Sequence, residues 1–182
     1  MFRHIKNTFR DVPVPSFDYD QGVNRVVDGR EIIGRPSIGF GDVDFTYAGK
    51  CLKSNPWDSH ETVLKMKEKL EAMLDISFAH CLIGLYLDET VSIPFHKDEI
   101  QGPEDLIVSV SMGATRDFLI RDNETGDIRK LILVHGDVVV MDYDSQQKTQ
   151  HAVPPGKFTP RRRQRVNLTF RSKTLPSPRE DK

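Results

Sequence analysis

The stretch Ile93-Pro94-Phe95-His96-Lys97-Asp98-Glu99-Ile100 ends an apolar run in a histidine and a carboxylate two residues apart. In an extended strand, residues i and i+2 point to the same side, so His96 and Asp98 can face one point. Two histidines and one carboxylate on one face suit a metal that needs open positions for oxygen and a co-substrate. A polar strand end meeting water explains the pair as well. The chain holds a second such pair, His135-Gly136-Asp137, whose glycine lies between two apolar stretches and reads as a tight turn. The remaining ligand should be a histidine from a distant strand. His151, 53 residues after Asp98 and just before a loop and the last strand, is the candidate. His4, His60 and His80 lie in the N-terminal half, outside the strand-rich region.

The last strand, Arg165-Val166-Asn167-Leu168-Thr169-Phe170-Arg171, carries the strongest pattern. Arg165, Asn167, Thr169 and Arg171 share one face; Val166, Leu168 and Phe170 share the other. With the polar face in solvent, this is an ordinary amphipathic edge strand. With the polar face lining a barrel, two guanidiniums are buried, and anions must pair with them. A dicarboxylate could satisfy both, because the planar fork of arginine binds carboxylates bidentately.

Many short strands after one helix predict a mostly β domain, a barrel or sandwich with a flanking helix. Strands are expected over 80–87, 106–112, 117–121, 129–134, 138–142 and 165–170, separated by turn signals at 124–127, 135–137 and 154–156. The helix is expected over 58–74, with Asp58 and Glu61 as a capping box and Val63, Met66, Leu70, Met73 and Leu74 at helical spacing. A hairpin is expected over 23–34, turning at Asp28-Gly29. The Gly-rich stretch 39–50, with interleaved aromatics, reads as a loop with a short strand.

A chain of 182 residues suits one domain with a real core. No apolar run approaches a membrane span, and the N-terminus lacks the apolar region of a signal peptide. Two cysteines make no disulfide framework, so a reducing, intracellular compartment (cytoplasmic or nuclear, not secreted) is expected. The net charge of −1 hides a split: residues 84–145 balance to −8 and residues 156–182 to +7. A basic tail can meet phosphates or simply be solvated.

His96-x-Asp98, then His151, then Arg165-x-Asn167-x-Thr169-x-Arg171 resembles the AlkB family of iron(II)- and 2-oxoglutarate-dependent nucleic-acid dioxygenases. "LIVSVSMGATRDFLIR" and "LILVHGDVVVMD" look like its core strands, and "NLTFR" matches its closing strand. "GRPSIGFGDVDFTYAGK" with Pro56-Trp57 looks like its nucleotide-recognition region, so the resemblance covers roughly residues 25–172. It implies a double-stranded β-helix, or jelly roll. It divides the single domain into an N-terminal extension and recognition region (1–55), a helix and catalytic core (56–172) and a tail (173–182).

The resemblance implies His96, Asp98 and His151 as ligands of Fe(II), with 2-oxoglutarate and O2 as co-substrates. Arg165 would pair with the distal carboxylate of 2-oxoglutarate, and Arg171 would sit near the metal-side carboxylate and Asp98. Tyr86 would hydrogen-bond the co-substrate, supported by Asn167 and Thr169. Tyr47 would stack a flipped base against His96, with Phe45 close by. The implied reaction releases succinate and carbon dioxide and removes an N-methyl group as formaldehyde, from bases such as 1-methyladenine and 3-methylcytosine in DNA or RNA.

The sequence departs from that pattern at three places. Gly84 stands where the family usually carries an asparagine that bonds 2-oxoglutarate. Ile100 stands where an acid is common, which makes Glu99 the candidate for contacting the base. The turn Val27-Asp28-Gly29 lacks the bulky apolar wedge of duplex-repairing relatives, so single-stranded DNA or RNA is favoured over duplex. Arg161-Arg162-Arg163 and Lys130 are further candidates for substrate contact. A monomer is expected, with no membrane partner. The rival readings are the same oxygenase scaffold acting on a protein or small molecule, and a non-catalytic jelly-roll binding module.

Overall fold

The computed structural model describes residues 2–19, 25–27, 30–32, 35–47, 50–100, 102–157 and 163–172. The first half carries β1 (Phe2–Ile5), β2 (Arg25–Val27), β3 (Arg30–Ile32), β4 (Ser37–Gly41), β5 (Phe45–Tyr47), β6 (Lys50–Leu52), β7 (Ser54–Asn55) and the helix α1 (Glu61–Leu74). Then follow β8 (Phe78–Tyr86), β9 (Ile93–His96), β10 (Leu106–Gly113), β11 (Arg116–Asp122), β12 (Ile128–Leu133), β13 (Asp137–Asp142), the short helix α2 (Tyr143–Lys148), β14 (Thr149–Val153) and β15 (Arg165–Ser172).

These strands form a seven-stranded sheet, ordered β1-β13-β10-β15-β8-β4-β7, and a four-stranded sheet, ordered β12-β11-β14-β9. From β8 onward the chain passes back and forth between them. β8, β10, β13 and β15 enter the larger sheet, and β9, β11, β12 and β14 the smaller. This winding is the double-stranded β-helix expected from the sequence.

β15 lies between β10 and β8, hydrogen-bonded to both, so the solvent-edge explanation of its polar face does not hold. Val166, Leu168 and Phe170 are at most 2% exposed and pack toward α1, which contributes Val63, Met66 and Leu70. The opposite face meets the smaller sheet. There Ile107, Val139 and Met141 pack with Phe118, Ile120 and Val153, while the β15 side of the same face is polar. Apolar burial thus glues one half of the gap between the sheets and leaves the other half to hydrogen-bonding groups.

The helix starts three residues later than expected. Pro56 opens a single 3₁₀ turn over Trp57–Ser59, and its carbonyl accepts from the Ser59 N–H at 3.1 Å and the Ser59 hydroxyl at 2.6 Å. The fixed φ of proline starts that turn early. Asp58 is spent in it, and His60 stands at the N-cap without a side-chain cap bond. Met73, placed on the apolar stripe by spacing, is 43% exposed. β2 and β3 pair antiparallel, with Val27 opposite Arg30, as expected for the hairpin; its Asp28-Gly29 turn lies outside the described residues.

Candidate metal and co-substrate site

β9 ends at His96, so Asp98 lies beyond the strand and not on its face. Tertiary contacts, in place of strand pleating, bring the carboxylate round. The Asp98 N–H donates to Oε1 of Gln146 at 2.9 Å. Gln146 sits on α2 and is 1% exposed. Arg171 donates from Nη2 to Asp98 Oδ1 at 2.9 Å and from Nη1 to the Glu99 carbonyl at 2.9 Å. His151, on β14, is the cross-strand partner of His96, and their ring centroids are 4.3 Å apart. His151 Nε2 lies 3.5 Å from Asp98 Oδ2. One ligand atom from each of His96, Asp98 and His151 falls within 4.8 Å of the others.

The protonation pattern suits a metal. His96 Nδ1 is 2.9 Å from the Pro94 carbonyl, which fixes that nitrogen as the donor and leaves the Nε2 lone pair for a ligand bond. Burial pushes His151 down to about 4, with His96 and Arg171 acting the same way and Asp98 opposing, so the ring is neutral at pH 7. Burial alone would raise Asp98, but Arg171, His151 and His96 outweigh it and hold the carboxyl below its ordinary range. Phe118 stacks on His151 at 5.3 Å and Phe2 meets its edge at 6.2 Å, which locks the ring from the apolar side. Two imidazoles and one carboxylate match the donor set of an Fe(II) oxygenase centre.

The second histidine–aspartate pair serves the fold. His135 accepts from the Gly113 N–H at 3.0 Å and donates to the Val12 carbonyl at 2.9 Å. Asp137 bonds His4 Nε2 at 2.8 Å and the Asn7 N–H at 3.0 Å. Gly136 has φ 83°, and a Cβ there would meet the backbone of Phe9 and Arg10 at 2.4–2.5 Å, so only glycine turns this corner.

On the same face of β15, Arg165 is 1% exposed. Its Nη2 donates to Ser111 Oγ at 2.8 Å and to Asn167 Oδ1 at 2.6 Å. Asn167 accepts from Ser109 at 2.9 Å and donates to Thr169 at 2.8 Å. Nε and Nη1 of Arg165 are buried without a hydrogen-bond partner, and among the described residues no carboxylate pairs with this guanidinium. Burial lowers its pKa and Tyr86 opposes that, while Arg116 and Arg35 push the same way as burial. A buried cation with two orphaned donors calls for an anion. Tyr86, 2% exposed, is the cross-strand partner of Arg165, whose guanidinium carbon lies 4.8 Å from the Tyr86 ring centroid. Down the strand, Asn167, Thr169 and then Arg171 lead to Asp98, so one polar stripe runs from the orphaned guanidinium to the metal ligands. A short dicarboxylate such as 2-oxoglutarate fits that chemistry: one carboxylate for Arg165, the 2-oxo acid end for the metal.

Gly84 lies on this stripe between Asn167 and Ser37, and a Cβ built on it meets nothing within 4 Å. Lys130 is elsewhere. Ile120 is the cross-strand partner of His151, but Lys130 pairs with Leu119, one residue along, and so faces away from the metal side. It reaches Asp117 at 3.4 Å on the outer surface. Glu99 is exposed beside Asp98. Phe45 and Tyr47 fall on β5, a strand whose backbone is described and whose side chains are not; Arg161 and Arg162 lie outside the described residues. Gln146, Ser109 and Ser111 escaped the sequence reading. The serines alternate with valines in Val108-Ser109-Val110-Ser111, a period-two signal that places them with the polar face of β15. Nothing local marks Gln146.

The sequence pattern of the 2OG-Fe(II) oxygenase superfamily matches residues 40–171. The alpha-ketoglutarate-dependent dioxygenase alkB homolog 3 of Bos taurus is 34% identical over 152 residues, covering 77% of this chain and 51% of that protein. The DNA oxidative demethylase ALKBH2 of Mus musculus is 30% identical over 159 residues, covering 80% of this chain and 64% of the relative. The solved structure of OsALKBH1 superposes with a TM-score of 0.55 at 19% identity, covering 93% of this chain and 97% of that one, which supports the jelly-roll fold. The chain thus spans about half the length of the first of these relatives. With the matched pattern covering both the histidine–aspartate–histidine cluster and the arginine-bearing strand, the chain belongs to the AlkB branch of the 2OG-Fe(II) oxygenase superfamily.

Proposed function

We propose that the protein is an Fe(II)- and 2-oxoglutarate-dependent dioxygenase that oxidatively demethylates N-alkylated bases, such as 1-methyladenine and 3-methylcytosine, in single-stranded DNA or RNA. The observation that carries this reading is the polar stripe on β15. It joins a buried, anion-seeking Arg165 to the His96–Asp98–His151 cluster on one face. A non-catalytic binding module has no need to keep the histidine–aspartate–histidine cluster together with the paired arginines. The name of the relative ALKBH2, a DNA oxidative demethylase, supports nucleic acid as the substrate class.

Each group has a defined task in this reading. His96, Asp98 and His151 hold Fe(II), which supplies the oxidising power for hydroxylating the methyl group at the expense of 2-oxoglutarate and O2. Arg165 takes the distal carboxylate with Nε and Nη1, and Tyr86 donates its hydroxyl proton beside it. Asn167 and Thr169 hold Arg165 in place. Arg171 keeps Asp98 ionised and fixes its rotamer through two simultaneous bonds. Phe118 and Phe2 keep water from the back of His151. The hydroxylated methyl group then leaves its nitrogen as formaldehyde, a collapse that needs no protein acid or base.

For the substrate, Tyr47 and Phe45 are the stacking candidates and Glu99 the base reader. Lys130 and the Arg161–Arg163 run are candidates for contact with the nucleic-acid backbone, Lys130 by way of the outer surface. The aspartate at the 28–29 turn supports single strands over duplex. We place the protein inside the cell, acting as a monomer; no helix among the described residues is long and apolar enough to cross a membrane. The test is mass spectrometry of methylated DNA and RNA oligonucleotides, single-stranded and duplex, after incubation with Fe(II), ascorbate and 2-oxoglutarate. Loss of the methyl group, fastest on single strands, is expected. A clear duplex preference overturns the strand assignment, and hydroxylation of protein alone overturns the substrate class.

A further inference from the structure

Arg35 stands just ahead of β4, five residues before the span matched by the superfamily pattern. Its Nη1 donates to the Tyr86 hydroxyl oxygen, and its guanidinium carbon lies 4.8 Å from the Tyr86 ring centroid. The backbone holds it there. The Pro36 carbonyl accepts from the Leu85 N–H at 2.9 Å, and Ser37 is the cross-strand partner of Gly84. Arg35 is therefore held just ahead of β4, the strand next to β8, near where Tyr86 meets Arg165.

This contact decides what the hydroxyl of Tyr86 can do. A guanidinium has only donors, so the tyrosine oxygen must act as the acceptor. Its proton is then left to donate to another group. Beside it lie the two orphaned donors of Arg165. Arg35 also brings a second guanidinium to the same distance from the ring as Arg165, 4.8 Å in each case.

We propose that Arg35 is a positioning residue for the co-substrate: it fixes the Tyr86 hydroxyl as a donor into the Arg165 pocket, and so helps select a 2-oxo acid with a distal carboxylate. This rests on the reading of the stripe as the 2-oxoglutarate site. Arg35 acts on the co-substrate site by way of its bond to the Tyr86 hydroxyl.

The test is a calorimetric titration of 2-oxoglutarate into Mn(II)-loaded protein for wild type, Arg35→Gln, Arg35→Lys, Tyr86→Phe and the Arg35→Gln/Tyr86→Phe double variant. Mn(II) affinity and the thermal midpoint are measured on each. Arg35→Gln is expected to weaken 2-oxoglutarate about 5- to 30-fold, in keeping with one hydrogen bond to a charged system. Mn(II) affinity should not change, and in turnover KM for 2-oxoglutarate should rise more than kcat falls. Arg35→Lys keeps the charge and one donor and should recover part of the loss. The double variant should bind within about twofold of Tyr86→Phe, because the arginine works through the hydroxyl. Wild-type affinity in Arg35→Gln, or losses that multiply in the double variant, overturn the proposal while leaving the co-substrate site intact. Wild-type protein that binds Mn(II) and no 2-oxoglutarate overturns the underlying reading, and this inference with it.

Discussion

Arg171 and Asp98 are joined at 2.9 Å across 73 positions of sequence, and the same guanidinium also holds the carbonyl of Glu99. The closing strand thereby sets the rotamer and charge of a metal ligand that no strand of its own positions.

Replacing Arg171 by glutamine should therefore weaken metal binding about 10- to 100-fold, the usual cost of losing a group that orients a ligand. The pH dependence follows from the sign of the Asp98 shift. Its folded value lies below the ordinary carboxylate range, so the stabilisation it brings is present above that range and is lost as pH falls through the folded value. Removing Arg171 lets burial raise the carboxyl, and the acid limit of metal binding moves to higher pH. Mn(II) titrations between pH 5 and 7.5, roughly the ordinary working range of folded proteins, read both effects. A variant with the wild-type pH profile would show that Arg171 does not govern Asp98.

His80 faces Arg171 across the β15–β8 ladder and is pushed down to about 4, first by burial and then by that guanidinium. The unfolded chain takes up a proton near 6.5, whereas the folded chain does not until about 4. Stability of the metal-free protein should thus fall as pH drops from about 6.5 to about 4, with His151 contributing in the same window. His80→Gln should flatten this fall. Thermal midpoints across the window decide it, and an unchanged slope in the variant would assign the effect elsewhere.

Gly84→Asn should be accepted by the fold, since a Cβ at that site meets nothing within 4 Å. It places an amide on the polar stripe, where the AlkB family usually carries one. The expected outcome is 2-oxoglutarate affinity raised about 3- to 10-fold, the worth of one added hydrogen bond, with little change in melting temperature. Unchanged affinity in a folded variant would mean that the space at Gly84 does not border the co-substrate.

The parts of the site that alternate along one strand were legible in the sequence. Arg165, Asn167, Thr169 and Arg171 share a face because pleating alone puts them there, and Val166, Leu168 and Phe170 are buried for the same reason. His96 and His151 required a pairing between strands 55 residues apart, which a resemblance could supply and periodicity could not. Asp98 joins His96 and His151 in space by a route that strand pleating does not supply, since it lies past the strand end and is held by Gln146 and Arg171. α2 is only six residues long, is capped by Asp142 through the Ser145 N–H, and shows no periodicity over so short a span. The early 3₁₀ turn at Pro56 displaced the helix start because a proline outweighed a capping-box pattern.

The most direct measurement of the central claim is the yield of formaldehyde, succinate and repaired base from a single-stranded 1-methyladenine oligonucleotide, with Fe(II), O2 and 2-oxoglutarate. Wild-type protein should give the three products in equal amounts. His96→Ala should give none, and Arg165→Gln should regain activity only at far higher 2-oxoglutarate. An oligonucleotide left methylated by wild-type protein that binds both metal and 2-oxoglutarate would contradict the account, as would full activity in Arg165→Gln at ordinary 2-oxoglutarate.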